Sequence, residues 1–258
     1  MSADANRGSR VFGMSTREVR VLHTSDVHVG YVEGDGADHR DVCVCAADAL
    51  ADAARVTKAD VLLVAGDLFD HARLSNEVVG ETLCSLAASR IPVVVVPGNH
   101  DVLDETSLWH RCADEIATAG VHLLNEPQGG SVDLLDGALT IWCRAMLEHE
   151  PNYRPLADVP VRPDDGWWIV AGHGHYEPDG PTLRSSPFGP EDVASTGADY
   201  VALGHWHVRT DVSAGGIPAW YPGSPMGSVS SGTANLVTMA DGQVTIDHVP
   251  ISARPQGC

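Results

Sequence analysis

The sequence is poor in positive charge. Its 258 residues contain 16 Lys and Arg against 35 Asp and Glu, which leaves a formal net charge of −19. Lys58 is the single lysine, and the arginines are scattered one by one along the chain. Proteins that hold duplex DNA through many phosphates need clustered Lys and Arg. The charge therefore disfavours a nucleic-acid partner and lowers the expectation of a long polyanionic substrate.

Long apolar segments are missing as well. Apolar runs such as those at 61–65 and 93–96 are far shorter than the roughly 18 to 20 residues that a membrane span requires. The first 17 residues are polar and lack the apolar core of a secretory signal. We therefore expect a cytoplasmic protein without a membrane helix, with a flexible N-terminal segment at 1–17 and one domain at 18–258.

The cysteines show no Cys-x-x-Cys spacing. Most stand in apolar surroundings, where a free thiol behaves as a small hydrophobe. Cys43 and Cys45 are two residues apart within a helical pattern, so their side chains point to different faces of the helix. We expect reduced, structural cysteines at all six positions, which are Cys43, Cys45, Cys84, Cys112, Cys143 and Cys258.

The order of apolar segments indicates an α/β protein. Up to residue 125, short β-branched runs alternate with alanine-rich amphipathic stretches; they predict strands at 19–24, 60–65 and 92–96 and helices at 38–57, 75–89 and 105–119. Beyond residue 120, Gly, Pro and Asp separate short apolar runs. These predict strands at 121–124, 131–135, 138–143, 167–171, 200–203, 217–221, 233–239 and 243–249. Residues 148–165, with four prolines and five acidic residues, are expected to be a surface excursion.

Polar side chains follow the first three predicted strands and two later ones. Since the carboxyl ends of strands in open α/β sheets converge on a ligand crevice, these side chains are candidates for one site. They are Asp26 and His28, Asp67 and Asp70, Asn99, His100 and Asp101, His173, and His205 with His207.

The chemistry of this set favours divalent metal ions. Asp, His and Asn without Cys suit hard to borderline ions such as Mn, Fe, Zn or Mg, and two such ions can clamp a phosphoryl group. Each piece alone has a simpler explanation: Asp26-x-His28 is compatible with a turn and a helix cap, and a lone His173 with an ordinary hydrogen-bonded residue. The occurrence of all five in order, each after a strand, favours the metal site.

Five sequence blocks carry a family resemblance. They are Asp26-x-His28, Gly66-Asp67-x-x-Asp70, Gly98-Asn99-His100-Asp101, Gly172-His173 and Gly204-His205-x-His207. Over roughly residues 19–225 this pattern resembles the calcineurin-like metallophosphoesterase superfamily. The segments 25–30, 66–70, 202–207 and 221–225 resemble its SbcD-type DNA exonuclease branch most closely.

The resemblance implies a fold and a ligand set. The fold is a four-layer sandwich of two mixed β-sheets flanked by helices. One metal ion would be held by Asp26, His28 and His207. A second would be held by Asn99, His173 and His205, and Asp67 would bridge the two. His175, two residues past His173, is a competing candidate; His173 is preferred because it follows its strand and glycine directly.

The resemblance also implies an activity. A metal-bound hydroxide would hydrolyse a phosphate ester, with a phosphodiester expected, while His100 stabilises charge or protonates the leaving oxygen and Asp70 orients His100. Manganese is the preferred ion, with Fe, Zn, Mg or Ni as alternatives, and a small phosphoester is the expected substrate.

Two rival functions stay open at this point. One is an SbcD-like DNA nuclease; the 33 residues after Pro225 are expected to form two closing strands rather than the capping region of that branch. The other is a non-catalytic binding protein, which the complete ligand set argues against.

Overall fold

The computed structural model describes residues 17–31, 39–180, 184–226 and 232–252, with the backbone alone for 39–44. The predicted flexible segment at 1–17 lies outside these residues except for Arg17, and the domain boundary at 18 stays a prediction. Cys258 and the side chain of Cys43 are also outside. Among the described cysteines, Cys84, Cys112 and Cys143 are free thiols.

Strands and helices alternate in the first half of the chain, and strands predominate in the second half. The strands are β1 (Val19–Thr24), β2 (Val61–Ala65), β3 (Val93–Val96), β4 (His122–Leu123), β5 (Gly130–Leu134), β6 (Leu139–Cys143), β7 (Trp167–His173), β8 (His175–Tyr176), β9 (Pro187–Phe188), β10 (Tyr200–Gly204), β11 (Thr210–Asp211), β12 (Ala219–Tyr221), β13 (Gly232–Ala240) and β14 (Gln243–Ile251). The helices are α1 (His39–Thr57), α2 (Asn76–Ala87), α3 (Leu108–Arg111), α4 (Ala113–Ala119) and α5 (Pro190–Ser195).

The strands form two mixed six-stranded sheets. The first has the order β14-β13-β1-β2-β3-β4, in which β1 to β4 are parallel and β13 and β14 antiparallel. The second has the order β11-β12-β10-β7-β6-β5, parallel in its centre with antiparallel edge strands. A small parallel ribbon of β8 and β9 stands apart.

The central strands are buried on both faces, which explains their continuous apolar runs. In β2, Val61 and Leu63 pack into the core between the two sheets, whereas Leu62 and Val64 pack under the helices α1 and α2. On the far side, Val193 of α5 packs against the outer face of the second sheet. The layers therefore run helix, sheet, sheet, helix, which confirms the predicted sandwich. Among the described helices, none is both long and apolar enough to cross a membrane.

The predicted helix at 105–119 is wrong in its extent. Asp104 accepts hydrogen bonds from Thr106 and from the backbone N–H of Ser107, which makes a turn. Ser107 then caps α3, and Cys112 leaves helical geometry between α3 and α4. The ribbon of β8 and β9 and the helix α5 were not predicted, because elements this short carry no apolar periodicity.

Candidate metal centre

The candidate residues lie on loops at the carboxyl ends of strands from both sheets. Asp26, Asp67 and Asn99 follow β1, β2 and β3, while His173 ends β7 and His205 follows β10. These loops are joined by backbone hydrogen bonds, since Asp26 N–H donates to Gly66 O at 3.0 Å and His28 N–H to Asp67 O at 3.0 Å. Backbone hydrogen bonds thus connect the loops that form the site.

Several site residues have a backbone conformation that L-residues rarely adopt. The φ angles are 53° for Asp26, 50° for His28, 52° for Asp67 and 115° for His205. Such angles cost energy and concentrate at functional sites, where the surrounding contacts impose them. Here they occur where the chain leaves β1, β2 and β10.

A first group of ligand-type atoms consists of Asp26, His28 and His207. Nε2 of His207 lies 3.6 Å from Oδ1 of Asp26 and 3.1 Å from Nε2 of His28, and the latter lies 4.0 Å from the same carboxylate oxygen. Atoms that each lie about 2.0–2.2 Å from one ion are roughly 3–4 Å apart. The spacing therefore fits one shared ion.

Asp26 provides a separate test of that fit. Its Oδ2 accepts hydrogen bonds from the Ser25 hydroxyl and, at 3.0 Å, from the backbone N–H of His205. Its Oδ1 is buried and has no hydrogen-bond partner. An unpaired buried carboxylate oxygen is costly, and a divalent cation would remove that cost. The residues present fit a metal ion.

A second group consists of Asn99, His173 and His205. The amide oxygen of Asn99 lies 3.0 Å from Nε2 of His173 and 2.9 Å from Nδ1 of His205. The Nδ1–H of His173 donates to Ala65 O at 2.9 Å, so Nε2 is the ring atom left for a ligand role. This contact orients the His173 ring toward the centre.

Asp67 stands between the two groups. Its Oδ2 lies 3.3 Å from Nε2 of His173 and 3.8 Å from Nε2 of His28. Its Oδ1 accepts the backbone N–H of His100 at 2.9 Å. This carboxylate therefore has the position that the predicted bridge between two ions requires.

Asp67 and His173 stabilise each other's charged form at the centre. Burial alone would lower the pKa of His173, but Asp67 raises it to about 9. Burial would conversely raise the pKa of Asp67, and His173 holds it well below its usual range. Burial lowers the pKa of His205 to about 3, which keeps its ring neutral, the form that binds metal.

His100 and Asp70 lie beside the first group. Nδ1 of His100 is 2.9 Å from the backbone carbonyl oxygen of Asp70 and 3.3 Å from its Oδ1. The same Oδ1 lies 3.1 Å from Nδ1 of His28. Asp70 thus contacts a predicted ligand as well as His100, a relation that the sequence did not predict. The His100 side chain is 42% exposed and open to a substrate.

The two competing histidines after β7 differ in their contacts. His173 contacts Asp67 and Asn99. Nδ1 of His175 instead accepts a hydrogen bond from the Trp206 indole at 3.2 Å, and its ring centroid lies 5.8 Å from that of His205. The structure therefore brings His173 into contact with Asp67 and Asn99, whereas His175 contacts Trp206 and His205.

Asp101 belongs to the third sequence block but had no predicted role. Its two carboxylate oxygens accept the backbone N–H groups of Gly98 at 2.6 Å and Phe69 at 3.2 Å. Burial, with the nearby Asp67, raises its pKa to about 7. Asp101 thus holds the loops after β2 and β3 together. The signal in the sequence was its place directly after Asn99 and His100.

Two glycines allow the loops to approach closely. A Cβ atom on Gly98 would lie 2.2 Å from Oδ1 of Asp67, and one on Gly204 would lie 1.9 Å from the carbonyl oxygen of Ala65. Ser224 was also not predicted as a site residue; its hydroxyl donates to Asp26 O at 2.7 Å. These positions bring the loops of the centre close together.

Residues 19–209 match the family model described as calcineurin-like phosphoesterase. The chain is 26% identical over 227 residues to the DNA double-strand break repair protein Mre11 of Methanopyrus kandleri, covering 80% of this chain and 49% of that protein. It is 29% identical over 265 residues to the D subunit of the nuclease SbcCD of Bacillus subtilis, covering 86% and 66%. The chain thus spans about half to two thirds of the length of these curated relatives.

The fold is also shared with solved structures. The purple acid phosphatase PPD1 from yellow lupin seeds superposes with a TM-score of 0.56 at 16% identity, over 91% of this chain and 52% of that one. At this identity the likeness shows the architecture alone.

Proposed function

Because the chain belongs to the calcineurin-like phosphoesterase family, whose members hold a dinuclear metal centre, we propose that it hydrolyses phosphate esters, with small phosphodiesters as its preferred substrates. One observation carries the proposal. Two groups of ligand-type atoms meet at a single carboxylate, that of Asp67, whose Oδ2 lies 3.3 Å from His173 and 3.8 Å from His28.

The proposed ligand assignment follows these contacts. Asp26, His28 and His207 would hold one ion, Asn99, His173 and His205 the other, and Asp67 would contact both. Two bound divalent ions supply a nucleophile at neutral pH and neutralise charge on phosphoryl oxygens. Oxygen and imidazole donors without thiolate suit manganese, which we propose as the ion.

His100 is the proposed acid–base residue. Its Nδ1 faces the carbonyl oxygen of Asp70, so Nδ1 carries the proton and Nε2 is turned away from Asp70. Its exposed ring can reach a bound ester, where it would stabilise developing charge or donate a proton to the leaving oxygen. Asp70 would fix this orientation and that of His28 at once.

The charge of the chain supports a small substrate. Two divalent ions would change the formal net charge of −19 only to −15. Several arginines are already engaged: Arg144 pairs with Asp158, Arg162 with Asp199, and Arg111 donates to Leu74 O. At physiological salt the field is screened over about 8 Å, so a small ester meets mainly the local metal charge.

A DNA nuclease is the second candidate function. It is favoured by the names of two relatives, a nuclease subunit and a DNA double-strand break repair protein. The acidic composition disfavours it, because duplex DNA would bring many phosphates into a negative field.

The decisive experiment is a matrix of metals and substrates. The full chain is loaded with Mn, Fe, Zn, Mg or Ni and assayed on p-nitrophenyl phosphate, bis(p-nitrophenyl) phosphate and linear duplex DNA. We expect metal-dependent hydrolysis, highest on the small diester. Activity that survives complete chelation would overturn the proposal, and efficient digestion of DNA with poor hydrolysis of the diester would favour the nuclease.

A further inference from the structure

His149 lies at the metal centre although it belongs to the acidic, proline-rich segment 148–165. Its ring centroid is 6.0 Å from that of His205, with an interplanar angle of 66°. The residue is exposed. Because the His149 imidazole packs against the predicted ligand His205 and is also exposed to solvent, a molecule bound at the centre can reach it.

The backbone on both sides of His149 is held in place. Three residues before it, the carbonyl oxygen of Met146 accepts the N–H of Leu103 at 2.9 Å. One residue after it, the carbonyl oxygen of Glu150 accepts the N–H of Ser186 at 3.0 Å. Leu103 belongs to the loop that carries His100, so the position of His149 is tied to that of the proposed acid–base residue.

The charged groups of the centre act on the His149 ring. They are His173, Asp67 and His100. These three groups come from three different strand-end loops. The ring therefore lies within electrostatic range of the bridging carboxylate and of His100.

A ligand role for His149 is not indicated. Each proposed ion already has three ligand residues besides Asp67, so neither ligand group needs His149 to be complete. An imidazole beside a metal pair can instead donate a hydrogen bond to a phosphoryl oxygen, a charge-assisted contact.

From this geometry we infer that His149 binds the substrate, donating a hydrogen bond to a non-bridging phosphoryl oxygen on the His205 side of the centre. The inference rests on the proposed function and adds a phosphate-binding residue to it. It assigns a role to a segment that was predicted to be a surface excursion.

The test uses the manganese-loaded full chain and inorganic phosphate as the probe. His149→Ala removes the donor, His149→Gln retains one, and His248→Ala is the matched control on the exposed edge strand β14. We expect His149→Ala to weaken phosphate binding in calorimetry about tenfold, the effect of one lost hydrogen bond to a charged group. The KM for bis(p-nitrophenyl) phosphate should rise by a similar factor with kcat little changed. His149→Gln should partly restore the phosphate affinity and the KM. The metal content of these variants should stay at the level of the unmodified protein.

The outcomes separate this inference from the proposed function. If the unmodified protein neither binds phosphate nor hydrolyses the ester, the proposed function fails. If it does both and His149→Ala behaves like His248→Ala, this inference alone is overturned. Loss of metal from His149→Ala would also overturn it, because the residue would then be a ligand.

Discussion

Asp67 and His173 belong to different sheets, yet Oδ2 of Asp67 lies 3.3 Å from Nε2 of His173. Asp67 follows β2 in the first sheet and His173 ends β7 in the second. This contact joins the two halves of the fold at the point where the two ligand groups meet. It makes Asp67 the residue whose change should affect both groups.

Asp67→Asn should therefore lose more metal and more activity than any other single ligand change. The amide keeps the size of the side chain but removes the charge and one of two equivalent oxygens. We expect metal content to fall from about two ions per chain and turnover to fall by at least about 10²-fold. Elemental analysis and steady-state assays measure both, with the exposed Asp247→Asn as the control. Retention of both ions would contradict the bridging role.

His100→Asn should separate metal binding from turnover. Its Nδ1 faces the Asp70 carbonyl oxygen, and its ring packs edge-on against His28 with the centroids 4.6 Å apart. Since neither proposed ligand group includes His100, both ions should stay bound. Turnover should fall in the range of about 10²–10⁴-fold that a lost acid–base group causes. Metal loss in proportion to activity would show that His100 is itself a ligand.

Asp70→Asn should affect metal affinity as well as turnover. Its Oδ1 lies 3.1 Å from Nδ1 of His28 and 3.3 Å from Nδ1 of His100. Loss of a partner that orients a metal-binding histidine typically costs about 10–100-fold in affinity. Competition with a chelator measures this affinity. An unchanged affinity would restrict Asp70 to the orientation of His100.

Acid should destabilise the fold through His23. This ring is fully buried next to the Tyr200 hydroxyl at 2.8 Å, and burial lowers its pKa from 6.5 to about 3. Between these values the unfolded chain binds a proton that the folded chain does not. The free energy of unfolding should therefore fall as pH drops below 6.5, by up to about 1.4 kcal/mol per pH unit from this group.

Denaturant unfolding of His23→Asn at several pH values between 6.5 and 4 tests this. The free energy of unfolding of the variant should fall less steeply toward low pH, by up to about 1.4 kcal/mol per pH unit. That of His248→Asn should follow the unmodified protein. Equal slopes for His23→Asn and the unmodified protein would contradict the prediction.

Binding to duplex DNA should be weak and little affected by salt. Few phosphates would be neutralised by an acidic chain, and the slope of log affinity against log salt is about −0.9 per neutralised phosphate. Salt-titrated binding with parallel hydrolysis assays measures this. A slope of about −5 or steeper, with efficient exonuclease digestion, would reject the small-substrate proposal.

Several features were determined by the sequence alone. The strand at Val61–Ala65 was predicted within one residue, because a strand buried on both faces is a continuous apolar run bounded by polar residues. The order of the five blocks predicted the fold, and it predicted side chains that the structure brings together. Local patterns of this kind predict structure correctly because they reflect burial and turn chemistry.

Other features were decided only by the tertiary structure. The break at Cys112, the ribbon of β8 and β9, the contact of Asp70 with His28 and the place of His149 beside His205 had no local signal. The His149 and Asp70 contacts join residues 56 and 42 positions apart. Such relations arise from how two sheets pack, and periodicity along one chain does not encode them.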